Sequence, residues 1–236
     1  MARRFVIVAH HEETCGGLMM EWLARLGPCE IRRPLQGQAL PSLESVTGIV
    51  VLGSHHGVND PVEGLGEERR WLEAALGHGL PVVGVCFGAQ LLAQISGVPV
   101  RRATAPERGI CPVERLDCPS GQRQWMAVMQ WHEDRISWLP SGARLLVQGP
   151  GEHAIQAFQA GSAVGIQFHP ETTPSMLQRW AGLPSAPADC LGWMEGLESL
   201  QAMRAWMGGV LTQQFASLNP SVQGRLPVSV FAGRLR

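Results

Sequence analysis

The chain has 236 residues, 45% of them apolar, with a formal net charge of −1. That length and composition suit a packed globular domain. They exclude a basic nucleic-acid binder, an acidic disordered tail and, given a first apolar run of only five residues, a membrane span or signal peptide.

In chain order, "FVIVA" (5–9) predicts a buried strand and "GGLMMEWLARLG" (16–27) a helix. "GIVVLGS" (48–54) reads as a second buried strand. "GEERRWLEAALGHG" (66–79) places Trp71, Leu72, Ala75 and Leu76 at helical spacing and ends in glycine. "LPVVGVC" (80–86) is a third buried strand, and "FGAQLLAQISG" (87–97) a helix closed by Gly97. Alternating strands and helices predict an open, mainly parallel sheet flanked by helices.

From Val98 to Phe168 the pattern changes to short strand-like pieces: "VPVRRA", "CPVERLD", "QWMAVMQ", "ARLLVQ", "AIQAF" and "AVGIQF". After "HPETTP" helices return in "SMLQRWAG" (175–182) and in a stretch from Met194 to Leu218, and a Pro/Gly-containing tail closes the chain. With no internal repeat or linker, residues 1–236 read as one domain, with a core over about 5–180 and a helical extension and tail over 181–236. Six cysteines without a CxxC pair fit reduced thiols in a cytoplasm. The eight histidines show no HExxH spacing, so neither a metal nor a cofactor is expected. His10-His11 and His55-His56 follow buried strands and are expected at the edge of any site beyond them.

Cys86 is the most informative position. It ends a buried strand, opens a helix and sits in Gly84-x-Cys86-x-Gly88-x-Gln90. In an open parallel sheet, ligands bind beyond the carboxyl ends of the strands. A sharp strand-to-helix turn projects its residue into that space, glycines allow the close backbone approach, and the helix N-terminus favours the thiolate. The N–H of Phe87 is then available to a developing oxyanion. A second strand ends in "GIQFHPE", which offers His169 as general base and acid and Glu171 to orient its ring. Taken singly, each has a plain alternative: Cys86 as a structural thiol, His-Pro-Glu as a surface turn.

"GVCFGAQLLA" and "GIQFHPE", in this order, resemble the class I, triad-type glutamine amidotransferases, and are most like stand-alone members similar to the amidotransferase domain of GMP synthase. The resemblance runs from Phe5 to Trp180 and includes "GIVVLGSHHGVND", "APERGICPV" and "QWHEDRISWLP". It implies that fold, a Cys86–His169–Glu171 triad cleaving the glutamine side-chain amide through a γ-glutamyl thioester, and Gln90 helping to hold bound glutamine; His132, in His132-Glu133-Asp134, reads either as a substrate contact or as part of a solvated turn. It also implies an oxyanion hole from Phe87 and the Gly53-Ser54 turn. Where the family has Gly-Gly-Pro, this chain reads Gly53-Ser54-His55. A positive φ at Ser54 would be costly, so either the turn is permissive or its donor is placed differently.

No Gly-x-x-x-x-Gly-Lys-Ser/Thr or Ser-Gly-Gly-x-Asp-Ser loop is present, so the ammonia acceptor implied by the resemblance would lie on a synthetase-like partner chain. Two other readings stay open: a stand-alone hydrolase of γ-glutamyl amides or peptides using the same thioester, and a non-enzymatic thiol sensor. The presence of a general acid for a leaving amine argues against the sensor.

Overall fold

The computed structural model describes residues 3–118, 121, 123–183 and 186–216. Among the described residues nine strands form one open sheet, in the order β2 (Cys29–Arg32), β1 (Arg4–Val8), β3 (Val46–Val51), β4 (Val82–Val85), β9 (Ala163–Ile166), β8 (Ile155–Ala160), β7 (Arg144–Gln148), β5 (Val100–Arg115), β6 (Gln124–Ile136). β1, β2, β3, β4 and β9 pair in parallel. The remaining strands, β8, β7, β5 and β6, extend the sheet in antiparallel fashion.

Both faces of the inner parallel strands β1, β3, β4 and β9 are covered, which is why these four are buried along most of their length. Side chains alternate between two cores: Phe5, Ile7, Val50 and Val83 face one, Val6, Val8, Ile49 and Val82 the other. The first core is closed by Met19, Trp22 and Leu23 of α1 (Gly17–Ala24), by α4 (Pro174–Ala181) and by α5 (Gln201–Ala216). The second is closed by α2 (Leu65–Gly77) and α3 (Phe87–Ile95).

Three differences from the sequence reading have physical causes. The pieces "VPVRRA" and "CPVERLD" are one 16-residue strand, β5, because its Pro112 and its positive-φ Gly109 are both accommodated within the β5–β6 ribbon. β2 has no apolar run: it is a four-residue edge strand whose Glu30 pairs with Arg4 at 2.8 Å and also with Arg32. The helical stretch read from Met194 to Leu218 begins instead as a 3-10 segment, Cys190–Leu200, that passes into α5. The closing tail from Asn219 lies outside the described residues.

Candidate active site

The site lies at the carboxyl ends of β4 and β9, which are neighbours in the sheet. Cys86 follows β4 with φ 51° and ψ −107°, the sole non-glycine at positive φ among the described residues. Strain of this kind persists only where the surroundings over-determine it. Here the Cys86 N–H donates to Ile166 O at 2.7 Å, and the Cys86 carbonyl accepts from Gln90 N at 3.0 Å as the first turn of α3. The two flanking glycines are required by space. A Cβ on Gly84 would enter the backbone of Gly88, and one on Gly88 would enter the carbonyl of Val51. Phe87 is the first residue of α3, so its N–H is one of those an α-helix leaves without an internal acceptor.

His169 leaves the β9 end with its own N–H bonded to Met129 O of β6 at 2.8 Å. Its Nδ1 is 2.8 Å from Glu171 Oε1. Nε2 is buried without a formed hydrogen bond. Burial disfavours a charged ring here, but Glu171 and then Cys86 outweigh it and hold His169 well above the ordinary histidine range. Glu171 is fully buried, and its main-chain carbonyl accepts from Leu18 N at 3.0 Å at the start of α1. The structure therefore brings Cys86, His169 and Glu171 together.

The Gly53-Ser54 turn closes the same space. A Cβ on Gly53 would stand 3.1 Å from His169 Cε1 and 3.7 Å from Cys86 Cβ, so it is the imidazole edge that crowds this position. Ser54 does not take a positive φ, so the turn is permissive for a side chain. Histidines support it from behind. His10 Nδ1 lies 3.1 Å from Gly53 O and its Nε2 3.1 Å from Glu68 Oε1. His11 Nε2 lies 3.1 Å from Ser54 Oγ and accepts from His55 N at 3.1 Å. Burial first, then His55, His56 and His10, push His11 down to about 4.

A cavity of about 490 Å³ opens over these groups, in the size range of small-molecule sites. Gln90 and His132 both line it. Gln90 Nε2 donates to Asp134 O at 3.2 Å and to Gln167 Oε1 at 3.3 Å, which ties α3 to the cavity wall. The His132 ring turns into that wall, with Nδ1 2.9 Å from Asp134 O and Nε2 3.1 Å from Gln130 Oε1. Arg102 and Arg108 also line the cavity and both pair with Glu133.

Sequence reasoning missed the aromatic support of His169. Trp180 meets the His169 ring edge-on at 5.1 Å and Trp131 at 5.2 Å. A tryptophan at helical spacing reads as core, and only the turn at Pro170 brings α4 back over His169. His10 and His11 carried a readable signal, since both follow a buried strand that ends at the site.

The glutamine amidotransferase class-I family matches residues 28–179, more than half of the chain. The chain belongs to that family. Among relatives of this amidotransferase, the glutamine-hydrolyzing GMP synthase of Aeropyrum pernix is 35% identical over 121 residues, covering 46% of this chain and 23% of that protein. A glutamine-hydrolyzing GMP synthase subunit of Saccharolobus solfataricus is 29% identical over 127 residues, covering 52% of this chain and 66% of that one. The amidotransferase thus spans less than two thirds of the length of either relative. A glutamine amidotransferase from Thermotoga maritima superposes with a TM-score of 0.81 at 24% identity, over 91% of this chain and 99% of that one. Another from Methylobacillus flagellatus gives 0.79 at 21%, over 92% and 96%. These likenesses establish the fold: a mixed, open sheet flanked by helices, as in the class I amidotransferases.

Proposed function

We propose that this class I glutamine amidotransferase hydrolyses the glutamine side-chain amide and passes the ammonia to an acceptor on a partner chain. The observation that carries the reading is the His169–Glu171 hydrogen bond of 2.8 Å set beside a thiol on a strained elbow. Cys86 gives its thiol proton to His169 Nε2 as Sγ attacks the amide carbon, and the oxyanion that forms is met by the N–H of Phe87 and by one from the Gly53-Ser54 turn. His169 gives its proton to the departing nitrogen, and ammonia leaves a γ-glutamyl thioester. Water then attacks the thioester carbon, His169 takes its proton, and glutamate is released with the thiol restored. Glu171 keeps the imidazole in one tautomer and stabilises its charged form. Gln90 and His132 shape the glutamine pocket by holding its wall. Charges of both signs there, Arg102 and Arg108 with Glu133 and Asp134, suit the carboxylate and ammonium of an amino acid.

The similarity to a GMP synthase that is built from separate subunits supports a synthetase-like partner, and we take residues 1–236 as one domain. No described helix is long and apolar enough to cross a membrane. All six cysteines are unpaired, which supports a reducing, cytoplasmic compartment.

A second reading, a hydrolase of γ-glutamyl amides or peptides, is favoured by the cavity of about 490 Å³, which has room for a substituent on the amide nitrogen. The deciding assay measures the isolated protein on glutamine and on a panel of γ-glutamyl amides and peptides, with and without a synthetase-like chain. Weak glutamine turnover that the added chain raises supports the amidotransferase. Fast peptide hydrolysis by the isolated protein, well above its rate on glutamine, supports the hydrolase instead.

A further inference from the structure

A second group of proton-binding side chains lies behind the cavity wall. A register shift in β5 between Arg102 and Glu107 sets Glu107 opposite His132 of β6, and the turn before β8 brings in His153. Glu107 Oε2 is 3.1 Å from His132 Nε2 and 3.6 Å from His153 Nδ1, and the three donor atoms lie within 4.8 Å of one another. The side chains are only 10%, 2% and 9% exposed, respectively.

The hydrogen bonds around the group fix which atoms are bare. His132 Nδ1 faces Asp134 O at 2.9 Å, and His153 Nε2 faces Ala105 O at 2.9 Å. A carbonyl only accepts, so each of those nitrogens carries a proton. Gln156 Nε2 donates to Glu107 Oε2 at 2.6 Å and to His153 O at 3.2 Å. Its Oε1 therefore accepts from Gln130 Nε2 at 2.8 Å, which leaves Gln130 Oε1 facing His132 Nε2 at 3.1 Å. His132 Nε2 thus meets two oxygens, while His153 Nδ1 is buried with no hydrogen-bond partner. A second proton on His132 would satisfy that ring and leave His153 Nδ1 bare. One cation would satisfy both.

We infer that Glu107, His132 and His153 form a site for a divalent transition metal, with Zn²⁺ the best-matched ion. The donor set is two imidazoles and one carboxylate, with each far imidazole nitrogen braced by a carbonyl, the usual support of a metal-binding histidine. Ligands about 2.0–2.1 Å from a tetrahedral ion stand roughly 3.4 Å apart, between the 3.1 and 3.6 Å that separate Glu107 Oε2 from the two imidazole nitrogens, which themselves lie within 4.8 Å of each other. The ligands come from two strands and a turn, so no linear motif marks them. A bound ion would tie β5, β6 and the approach to β8 together behind Asp134, whose carbonyl also holds Gln90.

The test uses the full chain carrying Cys86→Ala, so that the thiol and His169 do not compete, stripped with a chelator. Zn²⁺ is titrated by calorimetry and Co²⁺ by absorption. The site predicts one ion per chain and cobalt d–d bands without a sulfur-to-cobalt charge-transfer band. Adding His153→Ala or Glu107→Gln should weaken binding at least about 100-fold, and His153→Gln, checked by circular dichroism, guards against misfolding. Absence of binding, binding indifferent to these substitutions, or a sulfur charge-transfer band would overturn the assignment.

Discussion

His11 accepts a hydrogen bond from the backbone N–H of His55 at 3.1 Å and stacks on the His55 ring at a centroid distance of 4.2 Å. The bond requires an unprotonated Nε2, which agrees with burial and the neighbouring histidines pushing His11 down to about 4. The ring anchors the turn that supplies a proposed oxyanion donor. His11→Ala should lower kcat on glutamine about tenfold with little loss of global stability, as expected when a donor is misplaced rather than removed. His11→Gln, which keeps an acceptor at similar reach, should recover most of that rate. Equal rates for wild type and His11→Ala would mean that the turn holds itself.

The same histidine sets a pH dependence. Its folded value is depressed, so its contribution to stability is complete above the unfolded value of about 6.5 and is lost as pH falls towards 4. The melting temperature of wild type should fall over that window, and the fall should be shallower in His11→Gln. Parallel curves would remove His11 from the account.

Gly53 stands against both His169 and Cys86. In Gly53→Ala the new methyl presses on the imidazole edge, which must shift by a few tenths of an ångström. Activity should drop at least about tenfold while the melting curve barely moves. A steady-state assay paired with calorimetry checks this. Activity near wild type would show that the base has slack.

Glu171 is the strongest of the charges that raise His169, and Cys86 the next. An NMR titration of the ring should therefore show a larger downward move in Glu171→Gln than in Cys86→Ala. Glu171→Gln should also be milder in turnover than His169→Ala, because the ring remains. An unchanged kcat in Glu171→Gln would assign the orienting role to another acceptor.

Much of this fold was legible because the inner parallel strands β1, β3, β4 and β9, buried on both faces, are largely apolar runs, and because α2 and α3 carry their apolar residues at helical spacing. The nucleophile elbow was legible for a local reason: Gly84, Cys86, Gly88 and Gln90 lie within seven residues. His169 and Glu171 are equally local. The β5–β6 ribbon was not legible as one piece, because Gly109 and Pro112 read as breaks until a long-range partner strand holds them in line, and because the register shifts between Arg102 and Glu107. The wall behind the site was hidden for the same reason. Glu107, His132 and His153 meet only through the sheet, and Trp180 reaches His169 only through the turn at Pro170.

The central claim is that Cys86 is the nucleophile that forms a γ-glutamyl thioester. Its most direct test is to treat the protein with a glutamine-mimicking electrophile and map the added mass over the six cysteines, alongside glutamine turnover by Cys86→Ala. The account predicts one adduct, on Cys86, blocked by excess glutamine, and no turnover in a Cys86→Ala protein that still folds. Label spread over Cys15, Cys29, Cys111, Cys118 and Cys190 as readily as over Cys86, or full turnover in the variant, would contradict it.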